Sequence, residues 1–400
     1  MKKNLLFAAA AGIMLFSACS NDEDVINGGG ANDVNVSGEI TLALNAGGSG
    51  AETRAARPVY SSEAYSEVTD VELKLFKKNG ENWVAATGVT TDLAEEGWAI
   101  RNWETQSAVS PGTTDNKTTK TVKLKNLDKS AEYKLVAYGY KKELKTTLVW
   151  TAALAVATPN AGEDVEEIFA GEKEFSTNDK GKISTTPVLV EMRREVAGVL
   201  GYFKNIPEKV GETTVKSVRV YASSSNTAYN IPSLLLQNQC GTAGTAGTAG
   251  TEKVTVLNLP IPTEGVTVVE GIYNWAGKNE TNLKTEANSL LGGCFLVPFA
   301  KVEGKATFTI ALCDENGNDL KTWTGVLDKT QTGEDDTKIF NVNRNYFYSF
   351  GKKLKANTTD GPDPENPDPD EPIDLSVNNE ITIILNNAWG VIHNMGIEEN

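Results

Sequence analysis

The sequence contains few residues of the kinds that carry out chemistry. Its 400 residues include one histidine, His393, and four cysteines. A Ser-His-Asp or Cys-His arrangement would have to use His393, and no glycine pattern typical of phosphate or dinucleotide binding is present. We therefore expect no catalytic residue, no metal ion and no cofactor, and we predict that the protein is not an enzyme.

Positive charge and helical periodicity are also scarce. Lys and Arg total 38 against 53 Asp and Glu, which gives a formal net charge of −15. Such a charge disfavours nucleic acid and anionic membrane surfaces as partners, so we expect no binding to nucleic acid. Short runs in which apolar and polar residues alternate take the place of the 3.6-residue period of helices. This pattern predicts an all-β chain, most simply two β-sandwiches.

The long apolar run of the sequence lies at its start, at residues 5–16. It spans about 12 residues, too few to cross a bilayer core of about 30 Å, and it follows Lys2 and Lys3 as in an export signal. Phe16-Ser17-Ala18-Cys19 then resembles a lipobox, although Phe16 replaces the usual leucine. We predict a lipoprotein signal peptide, lipid (palmitate) on Cys19 and a precursor in the outer membrane. The alternative is an ordinary signal peptide that is cut near Ala18.

Two distant segments have nearly the same sequence. Residues 33–45 read DVNVSGEITLALN and residues 374–386 read DLSVNNEITIILN; at the offset 380 − 39 = 341, seven of the thirteen positions are identical. In each segment the apolar residues alternate, so they lie on one face of a strand. They are Val34, Val36, Ile40, Leu42 and Leu44 in the first copy, and Leu375, Val377, Ile381, Ile383 and Leu385 in the second.

Strands of one shape and one pattern can fill one groove. We infer that the two copies compete for the same groove, so that one of them is free to fill the groove of another molecule. The alternative is that they are equivalent edge strands of two homologous domains, each paired within its own chain.

The first copy is followed by a segment that suits proteolysis. Residues 47–58 (GGSGAETRAARP) are rich in glycine and small residues, the composition of exposed tethers that proteases cut. The bond between Arg54 and Ala55 suits an Arg-specific or trypsin-like protease, whereas Pro58 makes Arg57 a poor site. Cleavage after Arg54 would remove residues 19–54, including the lipid and the first strand.

The second copy is preceded by an extended arm. Residues 360–372 (DGPDPENPDPDEP) combine closely spaced prolines with carboxylates that repel one another. Such a segment favours polyproline II and reaches roughly 40 Å at about 3.1 Å per residue. Beyond the second copy, Trp389 alternates with Val391 and His393, and we expect it to plug the end of an acceptor groove.

These features divide the chain into six predicted segments. They are the signal peptide (1–18), the lipidated leader with an excisable strand (19–54), an N-terminal sandwich (55–186), a C-terminal sandwich (187–356), the Pro/Asp-rich arm (357–372) and the donor strand segment (373–400).

Other features are expected to be structural. Cys294 and Cys313 lie in apolar, strand-like runs and are expected to be buried thiols, with a disulfide between them left open. Asp314–Asp319 faintly resembles a calcium loop, but its spacing fails the EF-hand pattern and favours a hairpin turn. Arg344 is expected to form a buried salt bridge or a cap.

In this combination the chain resembles the fimbrillin family of Bacteroidales, the subunits of type V pili. The shared features are the lipoprotein leader, Thr53-Arg54-Ala55 after an early strand, the V-x-R-N-x-x-Y signature at Val342–Tyr348, and the Pro/Asp-rich arm that leads to Trp389. The family tail commonly has proline before this tryptophan, where the present chain has Ala388.

The resemblance implies two transthyretin-like β-sandwich domains, maturation by an Arg-specific protease on the outer membrane, and strand exchange by the C-terminal segment. Having both an excisable strand and a donor arm favours a stalk subunit of a pilus (fimbria), located at the cell surface. Its partners would be other copies of itself and related pilus subunits. The alternative is a monomeric surface lipoprotein, an adhesin or glycan-binding protein with an exposed aromatic platform and lipid retained on Cys19.

Overall fold

The computed structural model describes residues 36–45, 68–93, 97–103, 108–109, 117–161, 164–184, 187–232, 253–280, 283–327, 337–352, 370–377 and 381–386. These residues form 28 β-strands. The first twelve are β1 (Val36–Asn45), β2 (Asp70–Asn79), β3 (Asn82–Ala85), β4 (Thr90–Thr91), β5 (Ala99–Ile100), β6 (Ala108–Val109), β7 (Lys117–Lys125), β8 (Glu132–Tyr140), β9 (Thr147–Thr151), β10 (Leu154–Thr158), β11 (Ile168–Ser176) and β12 (Val188–Arg194).

The remaining strands are β13 (Ala197–Lys204), β14 (Lys209–Val210), β15 (Thr213–Thr214), β16 (Ser217–Ala222), β17 (Tyr229–Ile231), β18 (Val254–Pro260), β19 (Thr267–Val269), β20 (Ile272–Asn274), β21 (Asn279–Glu280), β22 (Leu283–Lys284), β23 (Ser289–Leu296), β24 (Phe308–Cys313), β25 (Asp319–Leu327), β26 (Phe347–Phe350), β27 (Ile373–Asp374) and β28 (Ile381–Asn386).

The all-β class predicted from the sequence is confirmed. Strand β12 shows the reason, because its side chains point alternately to the two faces of the sheet. Val188, Val190 and Met192 are buried, whereas Leu189 between them is 36% exposed. A period of two therefore places one face of the strand in the core.

Two large sheets organise the described residues. The ten-stranded sheet has the order β3-β2-β8-β11-β12-β1-β7-β4, with β5 paired to β2 and β6 paired to β7. The nine-stranded sheet has the order β18-β16-β24-β25-β28-β26-β13-β23, with β27 paired to β13. Each sheet covers a hydrophobic core of its own, which is drawn from residues 40–192 in the first case and 197–383 in the second.

The chain passes from the first sheet to the second between Arg194 and Ala197. The predicted boundary between the sandwiches lay earlier, at residue 187, yet β12 pairs with β1 and β11 in the first sheet. A three-stranded sheet, β17-β10-β9, combines strands from both halves of the sequence. Residues 35–400 accordingly form one compact unit, and the domain boundaries stay a prediction.

Buried ion pairs lie where the chain changes sheets. Arg344 Nη1 is 3.0 Å from Glu195 Oε2, and the Glu195 side chain is 2% exposed. Arg194 Nη2 is 2.7 Å from Glu167 Oε1, with the Arg194 side chain fully buried. The predicted buried salt bridge of Arg344 is therefore present, and it ties the signature segment to the crossover between the sheets.

Both cysteines of the second sheet are free thiols. Cys313 is buried at the end of β24, and Cys294 Sγ donates a hydrogen bond to the Val256 carbonyl oxygen at 3.2 Å. Burial raises the pKa of the Cys294 thiol to about 12. The prediction of buried thiols holds for Cys313, whereas Cys294 is partly exposed as a residue.

The Arg344–Glu195 pair yields a stability prediction. Arg344→Met removes the cation and leaves the Glu195 carboxylate buried, so we expect the free energy of unfolding to fall by about 3–5 kcal/mol. The surface pair Arg193–Glu191, at 3.3 Å, supplies the control, because Arg193→Met is expected to change stability by less than about 1 kcal/mol. Urea unfolding measures both, and equal effects of the two substitutions would contradict the prediction.

Candidate functional site

The first copy of the repeated sequence lies in the interior of a sheet. Strand β1 runs parallel to β12 on one side and antiparallel to β7 on the other. The ladder with β12 covers Ile40–Leu44, and the ladder with β7 covers Val36–Asn45. We call the space between β12 and β7, which β1 fills, the first groove.

The apolar side chains of β1 fill the core beneath this groove. Ile40 and Leu42 are fully buried and Leu44 is 1% exposed, while Val36 is half-buried. Burial of the Ile40, Leu42 and Leu44 side chains contributes roughly 5–9 kcal/mol to the stability of the fold, at about 1.5–3 kcal/mol each. The predicted inward face of the first copy is thus correct at these positions.

The start of β1 is fixed by polar contacts with two loops. The Leu127 N–H donates to Ser37 Oγ at 3.0 Å, and the Ile183 N–H donates to the Ser37 carbonyl oxygen at 2.9 Å. Lys182 Nζ donates to the Val36 carbonyl oxygen. Gly38 follows a β-bulge, and a Cβ at this position would lie 2.7 Å from Ile183 Cδ1. At this end of the first groove, position 38 therefore has no room for a side chain and favours glycine.

The second copy occupies a groove of its own. Strand β28 runs parallel to β25 and antiparallel to β26 in the nine-stranded sheet, and we call this space the second groove. The inference that the two copies compete for one groove within the chain is wrong, because a repeated sequence shows that two strands share a shape, not how many grooves exist. The alternative is correct in that each copy pairs within its own chain, but it is wrong about the edge position, because both strands are interior.

The two grooves are nevertheless built alike. Each holds its strand between one parallel and one antiparallel neighbour. Ile381 and Ile383, which align with Ile40 and Leu42, are 1% and 0% exposed, and Thr382 between them is exposed. Equivalent residues of the two copies therefore point into equivalent cores.

The chain just before β28 differs from the prediction. Leu375 is buried, but Val377 is 71% exposed because residues 375–377 form a turn. Asp374 Oδ1 accepts hydrogen bonds from the Ser376 N–H at 2.9 Å and from Ser376 Oγ at 2.6 Å. Such an Asx turn bends the backbone, so the second copy is not one continuous strand, and Val377 is not an inward residue.

Two positions of the second copy do not match the first groove. Asn379 aligns with Gly38, where the approach of Ile183 leaves no room for a Cβ. Ile384 aligns with Ala43, which is fully buried. A strand with the second sequence would fit the first groove closely at Ile381 and Ile383 and would require adjustment at these two positions.

Several predicted site residues lie outside the described part of the chain. They are Cys19, Val34, Arg54, Ala55, Trp389 and His393, together with the signal peptide and residues 357–369 of the arm. For Leu385 only the backbone is described, and it pairs with Tyr348.

The described residues provide no alternative chemical centre. They contain no group of three or more His, Cys, Asp or Glu side chains placed to hold a metal ion. Asp314 caps the β24–β25 turn, because its Oδ1 accepts the N–H groups of Asn316 and Asn318 at 2.9 and 2.8 Å. The predicted hairpin turn is therefore confirmed. Within the same residues, no helix is long and apolar enough to cross a membrane.

Burial at the two grooves yields the second prediction. Ile40→Ala and Ile381→Ala each delete a buried side chain from a core, so we expect each to lower the free energy of unfolding by about 2–5 kcal/mol. Val377→Ala serves as the control, with an expected change within about 0.5 kcal/mol, because Val377 is exposed. Chemical unfolding followed by tryptophan fluorescence tests this, and a large cost at Val377 would be inconsistent with the turn.

The mismatched positions yield the third prediction. Gly38→Asn and Ala43→Ile place residues of the second copy in the first groove, and we expect each to destabilise the chain by about 1–3 kcal/mol through overpacking. Leu42→Ile is the matched control, since it introduces the residue aligned with Leu42 and should cost less than about 1.5 kcal/mol. Thermal unfolding compares the three; unchanged stability in the first two would refute this account of the groove.

Comparison with known proteins completes the description of the site. Neither a protein-family model nor a curated protein matches the chain. Among solved structures, the chain is similar to a protein of Bacteroides thetaiotaomicron described as an adhesin. The two are 11% identical, the match covers 88% of this chain and 97% of the other, and the TM-score is 0.40.

Two further solved structures are similar. A protein of Bacteroides uniformis described as a cell adhesion protein has 12% identity, covers 89% of this chain and 100% of its own, and has a TM-score of 0.38. A fimbrial assembly protein of Parabacteroides distasonis has 10% identity, 80% and 93% coverage, and a TM-score of 0.34.

Proposed function

We propose that the protein is a structural stalk subunit of a surface pilus that polymerises by donor-strand exchange after its leader strand is removed. The observation that carries the proposal is the equivalence of β1 and β28. Two strands of nearly the same sequence lie in interior grooves of the same construction, with the aligned pairs Ile40/Ile381 and Leu42/Ile383 directed inward.

Loss of β1 would open a groove with two edges. Because β1 lies between β12 and β7, its removal separates these strands and leaves hydrogen-bonding groups exposed on both. An incoming strand would restore both ladders and the apolar burial, which is the physical basis of β-strand addition. A head-to-tail contact of this kind does not close on itself, so it generates a filament.

The donor strand must leave its own groove to take part. In the second groove β28 pairs over Ile381–Ile383 with β25 and over Ile383–Asn386 with β26. In the first groove β1 pairs over Ile40–Leu44 and Val36–Asn45. A strand that moves from the second groove to the first would therefore exchange one pair of ladders for another, with each backbone hydrogen bond worth about 0.5–1.5 kcal/mol.

The competing proposal is a monomeric glycan-binding or adhesin lipoprotein, which would require an aromatic platform. Among the described tryptophans, Trp103, Trp275 and Trp323 are buried, and Trp83, Trp98 and Trp150 are half-buried. No tryptophan within the described residues is fully exposed, so the structural role is favoured over this kind of binder.

Maturation supplies the test of the proposal. The lipidated precursor at the outer membrane would lose residues 19–54 to an Arg-specific or trypsin-like protease, and its partners would be further copies and related pilus subunits. We expect brief Arg-specific digestion of the purified chain to produce a mature form that begins at Ala55 and then associates into polymers, seen by electron microscopy and size-exclusion chromatography.

Two variants serve as controls for this experiment. Arg54→Gln should stay uncut and monomeric under the same digestion, and a chain that ends at residue 373 should be cut yet fail to polymerise. A cut chain that keeps its C-terminal segment and stays monomeric would contradict the proposal. Surface material in which lipidated Cys19 is the mature N-terminus would favour the monomeric lipoprotein instead.

A further inference from the structure

The start of the first groove is surrounded by lysines. Lys125 ends β7 and pairs with Val36 of β1, Lys129 lies in the turn between β7 and β8, and Lys180 and Lys182 lie in the loop between β11 and β12. We call these four residues the entrance lysines. Lys129, Lys180 and Lys182 are exposed, and Lys182 Nζ donates a hydrogen bond to the Val36 carbonyl oxygen at the start of β1.

Local hydrogen bonds hold these lysines in place. Asn178 Oδ1 accepts the backbone N–H groups of Lys180 and Lys182 at 2.9 and 3.0 Å. The Ser130 N–H donates to the Asn178 carbonyl oxygen at 2.8 Å, which joins the two loops. The two loops that carry Lys129, Lys180 and Lys182 are therefore joined beside the groove.

Nearby carboxylates only partly offset this charge. Asp128 is already paired with Lys77 at 2.9 Å, and Glu39 lies 3.7 Å from Lys123. Asp179 is the remaining acidic residue in the loop between β11 and β12, which also carries Lys180 and Lys182. Within the described part of the chain, Lys129, Lys180 and Lys182 take part in no ion pair. The entrance to the groove is consequently a positive patch on a protein whose net charge is −15.

The acidic arm of another copy fits this patch. A strand that enters the first groove in the direction of β1 brings its preceding residues out beside Val36. By the offset of 341, Val377 would take the place of Val36, so Asp374 would lie three residues before it, or about 10 Å. The arm carries six carboxylates in thirteen residues, namely Asp360, Asp363, Glu365, Asp368, Asp370 and Glu371.

We propose that the entrance lysines recognise the acidic arm, residues 360–372, of an incoming second copy and guide its donor strand into the first groove. This inference rests on the proposed function and adds an electrostatic recognition step to it. Charge pairs at the rim of an interface chiefly raise the association rate, and salt screens them. The entrance lysines would thus set how fast subunits join rather than how firmly they hold.

In its own chain the arm is followed closely by Asp374, which lies beside one cationic residue, Lys204. Asn205 Nδ2 donates to Asp374 Oδ2 at 2.7 Å, and β27 pairs Asp374 with Lys204. Burial acts to raise the pKa of Asp374, but the hydrogen bonds from Ser376 and Asn205 and the charge of Lys204 outweigh it and lower the pKa. The exchange would move this carboxylate from the neighbourhood of Lys204 to that of the entrance lysines.

The test compares three synthetic peptides that bind to the chain cleaved after Arg54. One peptide spans residues 373–400, one spans residues 357–400, and the third spans 357–400 with Asn and Gln replacing every Asp and Glu of residues 360–372. We expect the acidic-arm peptide to associate about 10-fold faster than the neutral-arm peptide at low ionic strength. The advantage should vanish near 1 M salt, where the Debye length is about 3 Å.

Charge-reversed proteins assign the effect to the entrance lysines. The variant Lys129→Glu, Lys180→Glu, Lys182→Glu should bind the acidic-arm peptide at the neutral-arm rate. The matched control Lys209→Glu, Lys216→Glu, Lys301→Glu changes the net charge equally at exposed positions of the other half of the sequence and should keep the faster rate. Stopped-flow fluorescence measures all rates, with circular dichroism confirming that each variant is folded.

The outcomes separate this inference from the function on which it rests. If no peptide binds, the proposed strand exchange is wrong. If all three bind at the same rate, strand exchange stands and recognition of the arm is overturned. If charge reversal changes only the release of residues 19–54 after cleavage, the entrance lysines recognise the acidic leader of their own chain, and the inference is likewise overturned.

Discussion

An interior strand must satisfy hydrogen-bonding groups on both of its edges, and the structure around β1 depends on this constraint. Strand β12 supplies one edge and β7 the other, so β1 joins the two parts of the ten-stranded sheet. Its apolar face closes the core through Ile40, Leu42 and Leu44. No other strand of the sheet makes these contacts, because only β1 lies between β12 and β7.

The same constraint applies to β28, which lies between β25 and β26 in the second groove. Gly325 of β25 leaves room for Ile383, since a Cβ there would lie 2.9 Å from Ile383 Cδ1, so the second groove is adapted to its occupant. The second groove therefore holds its own strand by close local packing as well as by pairing on both edges.

Much of this was predictable from the sequence, and the errors have physical causes. Period-two patterns identified the all-β class, because alternation reports directly on burial. They also identified six buried positions of the two copies, namely Ile40, Leu42, Leu44, Leu375, Ile381 and Ile383. Val377 was misassigned because hydrophobicity does not register the hydrogen bonds from Ser376 to Asp374 that turn the chain. The number of grooves depends on contacts between distant strands, such as β1 with β12, which a repeated sequence does not encode. The entrance lysines were missed because they come from separate loops that adjoin only after folding.

The orientation of β1 between its neighbours has a mechanical consequence. A donor strand in this groove would be pulled along its own axis, since its arm leaves at one end and the rest of its subunit follows that arm. Force along the axis loads all rungs of the β12 and β7 ladders in shear, so they resist together instead of opening one after another. A filament built from such joints would withstand tension far better than peeling, as an appendage exposed to flow requires.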